Sequence, residues 1–342
     1  MAGGDLKDAI AAHLAEWDSA HVELAIHGCD DAAVIARSID EFCRHTLGAG
    51  VGRALFYRSS IGAVAGLELD DGRRVVVKAH QPDWSRARLT EIARLQHHLA
   101  SNGGLAPAIL TDPSSLGRGL AIVETYVEQG IARDGHEGAI RGALATSLHA
   151  VVGALEPFVA TSGLPSSLLS LPAGTLWPTP HSRLFDFETT RAGAADIDAL
   201  AADARARLTP AGRTVLGHGD WRAEHVRFEG STPVVAFDWD SLCKGPEPAL
   251  VGSAAHGFCA DWSRSDQAQA PSLDEARAFV SAYEVARGRP FDGGERRLCG
   301  GTFAYSVAYA ARCVHALGRD ERRRPGTFQH LVATHGRGLL DL

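Results

Sequence analysis

Two aspartates carry the strongest chemical signal in this 342-residue chain. Asp220 closes the tripeptide His218-Gly219-Asp220 just after an apolar run. Asp238 ends the run of residues 234–237, and Asp240 follows two positions on. The stretch 215–242 reads as strand, turn, short strand, turn, strand and acidic turn. Two carboxylates at the ends of neighbouring short strands can converge on one pocket. Phosphoryl transfer uses such a pair: one orients the acceptor hydroxyl and takes its proton, and the other holds Mg2+ against the phosphates.

A third charged residue stands out by its type. Of 34 basic residues only Lys7, Lys78 and Lys244 are lysine, so the chain otherwise chooses arginine. Lys78 lies in the run of residues 73–80 at the end of the third strand, where it suggests a need for a compact ammonium, although taken alone it reads as a strand-end surface lysine. Glu91 lies thirteen residues later in a helical stretch. Taken alone it reads as part of a solvated helix face.

The segment HGDWRAEHVRF followed by VVAFDWD resembles the catalytic loop and metal-binding turn of the aminoglycoside phosphotransferase/choline kinase superfamily, distant relatives of the protein kinases. The interval of 18 residues between Asp220 and Asp238 suits that pattern. The resemblance runs from about residue 50 onward. It implies that Asp220 is the catalytic aspartate and Asp238 the metal ligand, and that Lys78, held by Glu91, pairs with the phosphates of ATP. It also implies that the first hairpin covers the phosphates with Ser59, Ser60 and Gly62. The segment AIVETYVEQG resembles the family's hinge, with the Glu124 C=O and the Tyr126 N–H as adenine contacts. One position departs from the pattern, because the family's asparagine falls on His225. An imidazole suits a softer ion such as Mn2+. Alternatively Asp238 and Asp240, with water, hold Mg2+ without it. The cofactors implied are ATP and Mg2+ or Mn2+.

The elements that must position these residues follow from periodicity. Apolar spacing predicts helices over 6–17 and 31–47, the second capped by Asp30 or Asp31. Three strands follow, over 54–60, 63–69 and 73–80, turning at Gly62 and at Asp70-Asp71-Gly72. A helix over 85–100 and strands near 108–110 and 119–127 complete this half. Beyond it the chain reads as mostly helical, over 138–156, 190–208, 247–259, 273–287, 295–317 and 327–340. The strand-rich stretch 215–240 interrupts these helices, and a Pro-rich, aromatic loop spans 171–187. The fold expected is α+β and protein-kinase-like with two lobes: a helical extension (1–47), a small antiparallel-sheet N-lobe (48–127) and a larger, mostly helical C-lobe (128–342).

Composition narrows the partners. A formal net charge of −7 argues against a nucleic-acid binder. No segment reads as a membrane span or a leader, and six scattered cysteines read as reduced thiols, so a cytoplasmic monomer or homodimer is expected. Residues 129–342 hold 24 acidic and 22 basic side chains, a balance that gives no support to a polycationic acceptor. A hydroxylated small molecule such as a sugar, amino sugar or amino alcohol is the expected acceptor, lined by Trp177, His181, Phe185, His256, Asp261 and Trp262. An aminoglycoside-type antibiotic kinase and a catalytically impaired nucleotide-binding regulator are the alternatives, the second motivated by His225.

Overall fold

The computed structural model describes residues 5–16, 19–165, 171, 174–264 and 266–342. The chain divides into two compact units, Met1–Glu128 and Gln129–Leu342.

The first unit is built on a five-stranded antiparallel sheet of order β1-β2-β3-β5-β4. Its strands are β1 (Val51–Ser59), β2 (Ala63–Leu69), β3 (Arg74–His80), β4 (Ser114–Leu116) and β5 (Gly119–Thr125). The β2–β3 turn places Gly72 at a φ of 86°, the left-handed conformation that the Asp-Gly signal anticipates. One face of the sheet meets α1 (Leu6–Glu16), α2 (His21–Ile26) and α3 (Ala32–Leu47). Ile10, Ile35, Ile39 and Phe42 of these helices share a core with Leu67, Val75, Val77, Ala121 and Val123. Fully burying an aliphatic side chain of this size contributes roughly 1.5–3 kcal/mol. Helices α1, α2 and α3 therefore pack into the sheet's own core. Asp31 caps α3 through the amides of Ala33 and Val34, and Gly48 ends it at a φ of 75°.

Alternate residues of β3 and β5 point to the opposite face. Lys78 is 4% exposed there, and Glu124 and the Gln96 side chain of α4 (Arg86–Ser101) are buried beside it. Gln96 Nε2 donates to the Glu124 carboxylate at 2.7 Å. Residues 108–110, expected as a strand, make only an isolated bridge from Ile109 to Glu124. The fourth strand is the shorter Ser114–Leu116, which pairs with Gly119–Ala121 across the Gly117 turn.

The second unit is mostly helical. It comprises α5 (Gly138–Leu155), α6 (Ala195–Arg205), α7 (Glu247–Gly257), α8 (Leu273–Arg287), α9 (Gly293–Ala316) and α10 (Phe328–His335). Two small antiparallel pairs interrupt the helices. β6 (Thr214–His218) pairs with β9 (Leu242–Pro246), and β7 (Val226–Glu229) pairs with β8 (Thr232–Ala236). Contrary to the sequence expectation, Gly138–Phe158 is long and apolar enough, by length and composition, to cross a membrane. In the fold α5 is a core helix: Ile140, Leu144, Leu148, Val152 and Leu155 line its buried face. All six cysteines are free thiols, five of them buried.

A buried charge network anchors α7, α8 and α9. Glu247 accepts from Arg213, Arg287 and Tyr283, and Glu295 accepts from Arg287 and Arg289 at 2.8–2.9 Å. Glu295 also closes the capping box at the start of α9 with Asp292. The Arg289 hydrogen bonds hold the Glu295 carboxyl down to about 2, against an ordinary value of 4.5. A depressed carboxyl stabilises the fold above its unfolded value, and that contribution is lost as pH falls toward the folded one. Glu295→Gln is expected to lose about 2 kcal/mol at pH 7. The difference from wild type should shrink as pH falls from 4.5 toward 2. Urea denaturation across that window reads both effects, and a pH-independent difference would show that the carboxylate charge is not what stabilises.

Candidate active site

Asp220 follows β6 and Asp238 follows β8, so each carboxylate sits at a strand end, and both lie within the second unit. The two turns are tied together by backbone. Gly219 N–H donates to the Ser241 carbonyl at 2.9 Å, and Phe237 N–H donates to the His225 carbonyl at 2.8 Å. A Cβ at position 219 would lie 2.8 Å from the Ser241 oxygen, which explains the glycine of the His-Gly-Asp tripeptide by close approach.

His218 is the side-chain tie between them. It is fully buried, and Nε2 donates to the Phe237 carbonyl at 2.8 Å. Its Nδ1 faces the Asp220 amide at 3.3 Å and the Ser241 hydroxyl at 3.0 Å. Burial, and His225 after it, bring its pKa down to about 4, so the ring is neutral at pH 7. The indoles of Trp221 and Trp239 pack edge-on against it at 5.3 and 5.2 Å. Each indole N–H is itself spent on a carbonyl, that of Leu144 for Trp221 and that of Ala236 for Trp239. These two tryptophans of the motif are the walls that hold the imidazole.

Asp238 has a φ of 62°, the single positive value at a non-glycine among the described residues. Its carbonyl accepts from the Ser241 hydroxyl at 2.8 Å and from the Ser241 amide at 3.2 Å. A left-handed aspartate costs roughly 1–2 kcal/mol and persists only where its surroundings impose it. Such strain concentrates at functional positions.

Ligand atoms of Asp220, His225 and Asp238 all lie within 4.8 Å of one another. The two carboxylates suit a hard divalent ion. The imidazole does not offer itself, because Nδ1 lies 3.0 Å from the Asp220 carbonyl and Nε2 lies 3.1 Å from Arg222 Nη2. Asp240 is not in this group. It sits in the 3-10 turn Trp239–Ser241, which Asp238 precedes as N-cap. Asp220 also pairs with Arg222 at 3.1 Å. Withdrawal from solvent pushes the Asp220 carboxyl up, but Arg222, His225 and His218 outweigh it and hold it below the usual range.

Of the expected acceptor-lining residues, His181 and His256 are close enough for the Asp220 charge to act on both. His181 lies against Phe185 at 5.0 Å and bonds the Tyr309 hydroxyl through Nδ1 at 2.8 Å. Trp177 packs on Phe187 and Tyr305, and its Nε1 donates to Asp198 at 3.0 Å. A cavity of about 720 Å3 runs along this segment, lined by Trp177, Phe185, Phe187, Asp198 and Arg312. Two residues of the 171–187 loop, Pro172 and Ala173, lie outside the described residues, as does Trp17 of the first expected helix. Trp262 is 53% exposed and near Phe328. Asp261 is a correction to the sequence reading. It is 5% exposed, and its Oδ1 accepts from the Ser263 amide and hydroxyl, so it caps its own turn. Tyr305 and Tyr309 were missed, although their i, i+4 spacing on α9 was a readable sign of one shared face.

The nucleotide residues expected in the first unit fare unevenly. Lys78 and Glu124 share the α4 side of the sheet, by the register that sets Val76 opposite Glu124 and Lys78 opposite Ile122. Glu91 lies on α4 and takes a two-point pair with Arg94 at 2.9 and 2.8 Å. Gly62 approaches the Ala79 carbonyl so closely that a Cβ would lie 2.7 Å from it, and Ser60 N–H closes the hairpin on the Gly62 carbonyl at 3.0 Å. Two expectations are corrected. Ser59 turns inward, because its hydroxyl and its amide both meet His13 Nε2, at 2.8 and 3.1 Å. The Tyr126 N–H donates to the Arg74 carbonyl at 3.2 Å, extending the β3–β5 ladder instead of facing a ligand.

Residues 66–291, about two thirds of the chain, match the phosphotransferase enzyme family, APH. The chain belongs to that family. It is accordingly an enzyme of the small-molecule kinase class, with an alcohol group as acceptor. Solved structures agree on the fold. An amicoumacin kinase solved with AMP-PNP, Ca2+ and Ami aligns at a TM-score of 0.56 and 11% identity, over 84% of this chain and 87% of that one. A spectinomycin phosphotransferase solved with ADP and spectinomycin aligns at 0.52 and 12%, over 87% and 98%. An aminoglycoside phosphotransferase from Alicyclobacillus acidocaldarius aligns at 0.52 and 12%, over 87% and 93%. No curated protein sequence matches the chain. Within the phosphotransferase family the fold is the two-lobed protein-kinase-like one, with an antiparallel-sheet N-lobe and a mostly helical C-lobe.

Proposed function

We propose that this phosphotransferase moves the γ-phosphate of ATP to a hydroxyl of a sugar, amino sugar or amino alcohol. The reading is carried by one observation: a strained aspartate, Asp238, is strapped by His218 and Ser241 to the loop that presents Asp220. Asp220 orients the acceptor hydroxyl and receives its proton. A carboxyl held below its usual range is a weak base, which suits a loose transition state in which positioning matters more than early proton transfer. Asp238 would hold Mg2+ or Mn2+, which when bound neutralises charge on the phosphate oxygens. Lys78, kept in place by Glu91, neutralises phosphate charge as well. The Gly62 hairpin brings backbone N–H groups to the phosphates, and the Glu124 carbonyl contributes to the adenine site.

The acceptor class follows from the side chains gathered near Asp220. They are the imidazoles of His181 and His256 together with Arg222, with the rings of Phe185 and Tyr309 behind His181. Such a set offers hydrogen bonds and flat surfaces to a hydroxylated acceptor. ATP turnover should be assayed with Mg2+ and with Mn2+ across sugars, amino sugars, amino alcohols and aminoglycoside-type antibiotics. Metal-dependent turnover with at least one hydroxyl metabolite is expected. Turnover confined to the antibiotics would reassign the acceptor, and nucleotide binding without any turnover would favour a regulatory role.

A further inference from the structure

Position 225 holds an imidazole where the family resemblance places an asparagine, and both of its nitrogens are committed. Nδ1 lies 3.0 Å from the Asp220 carbonyl, which only accepts, so Nδ1 carries the hydrogen. Nε2 lies 3.1 Å from Arg222 Nη2 and 3.3 Å from Arg222 Nε, which only donate, so Nε2 presents its lone pair to the guanidinium. The surroundings thus place the hydrogen on Nδ1 and the lone pair on Nε2. The same guanidinium reaches Asp220 Oδ2 at 3.1 Å and Glu224 Oε2 at 3.4 Å. A permanently charged, planar cation is fixed against the carboxylate proposed to orient the acceptor, and it occupies one of the two ring nitrogens that could bind a metal. The kinase pattern uses two divalent ions, one of them on the catalytic-loop asparagine that His225 replaces, and a second ion at this position would have to displace the arginine and then sit beside its charge.

We propose that Arg222 supplies here the positive charge that a second metal ion would otherwise bring, and that His225 anchors the arginine and is not a metal ligand. The centre then takes one divalent ion, on Asp238. This rests on the phosphotransfer reading given above. Arg222 acts as a positioning residue, because what it touches is Asp220, Glu224 and His225.

The test is spectroscopic and does not depend on turnover. The full chain, with natural or 15N-labelled histidine, is loaded with Mn2+ and a non-hydrolysable ATP analogue. Electron spin-echo modulation then reports any histidine nitrogen bound to the metal, and titration gives the stoichiometry. One Mn2+ per chain without a histidine signal is expected for wild type. Arg222→Ala should release Nε2 and bring in either a histidine signal or a second Mn2+. A histidine signal already present in wild type, and lost in His225→Gln, would overturn the inference without any need for the arginine variant to fold. No change in Arg222→Ala would also overturn it, since something else would then be withholding the ring. If Asp238→Asn leaves Mn2+ affinity unchanged, the phosphotransfer reading itself fails, an outcome distinct from both.

Discussion

Asp220→Asn is expected to lower kcat by on the order of 10³-fold, the range over which a positioned proton acceptor contributes, while KM for ATP stays close to wild type. The reasoning is local. The substitution keeps the shape of the side chain and leaves the backbone ties of the loop untouched, from Gly219 N–H to Ser241 and from Phe237 N–H to His225. What it removes is the carboxylate charge that orients a hydroxyl. It also removes the charged partner of Arg222, whose remaining contacts with Glu224 and His225 should keep the guanidinium near its place. Steady-state kinetics on the best acceptor, with a circular dichroism check that the variant is folded, would measure the effect. A loss below about 10-fold would remove Asp220 from the proton-accepting role.

Asp238 should show two effects that separate function from stability. Both Asp238→Ala and Asp238→Gly remove the carboxylate that would hold the metal, and both are expected to lose about 10³-fold or more in kcat/KM, equivalent to roughly 4 kcal/mol of transition-state stabilisation. Their stabilities should differ. The backbone at 238 is left-handed, so alanine keeps the steric penalty of its Cβ and glycine does not. The glycine variant should be more stable than the alanine variant by about 1 kcal/mol in chemical denaturation. Equal stabilities would mean that the turn relaxes once the aspartate is gone, and that the strain is not built into the tie from His218 and Ser241.

Much of this centre was legible in the sequence because its parts are short and local. The motif places one aspartate after each of two apolar runs, and the fold turns those runs into β6 and β8. Lys78 stood out against a chain of arginines and is indeed buried on a strand. Other features depend on pairing that no local pattern reports. β9 has the sequence Leu-Cys-Lys-Gly-Pro, with neither alternation nor β-branched residues, and exists because β6 lies alongside it. β4 is three residues long and was missed in favour of an apolar run at 108–110 that makes a single bridge. α2, at six residues, is too short to show a helical period.

Side-chain commitments were the least readable. Asp261 beside Trp262 looked like a binding pair, yet the carboxylate caps its own turn. Ser59 looked available to a phosphate, yet a histidine 46 residues earlier takes both of its polar groups. His225 was a candidate metal ligand, yet the Asp220 carbonyl engages its Nδ1 and Arg222 its Nε2. Spacing locates a residue, but hydrogen-bond capacity decides what that residue still has to offer.

The most direct measurement is a crystal structure of the full chain with Mn2+ and a non-hydrolysable ATP analogue, read by anomalous scattering from the metal. The account predicts an anomalous peak at the Asp238 carboxylate, the terminal phosphate directed toward Asp220, and Lys78 on the phosphate oxygens. A metal bound elsewhere, or a terminal phosphate out of reach of Asp220, would contradict it.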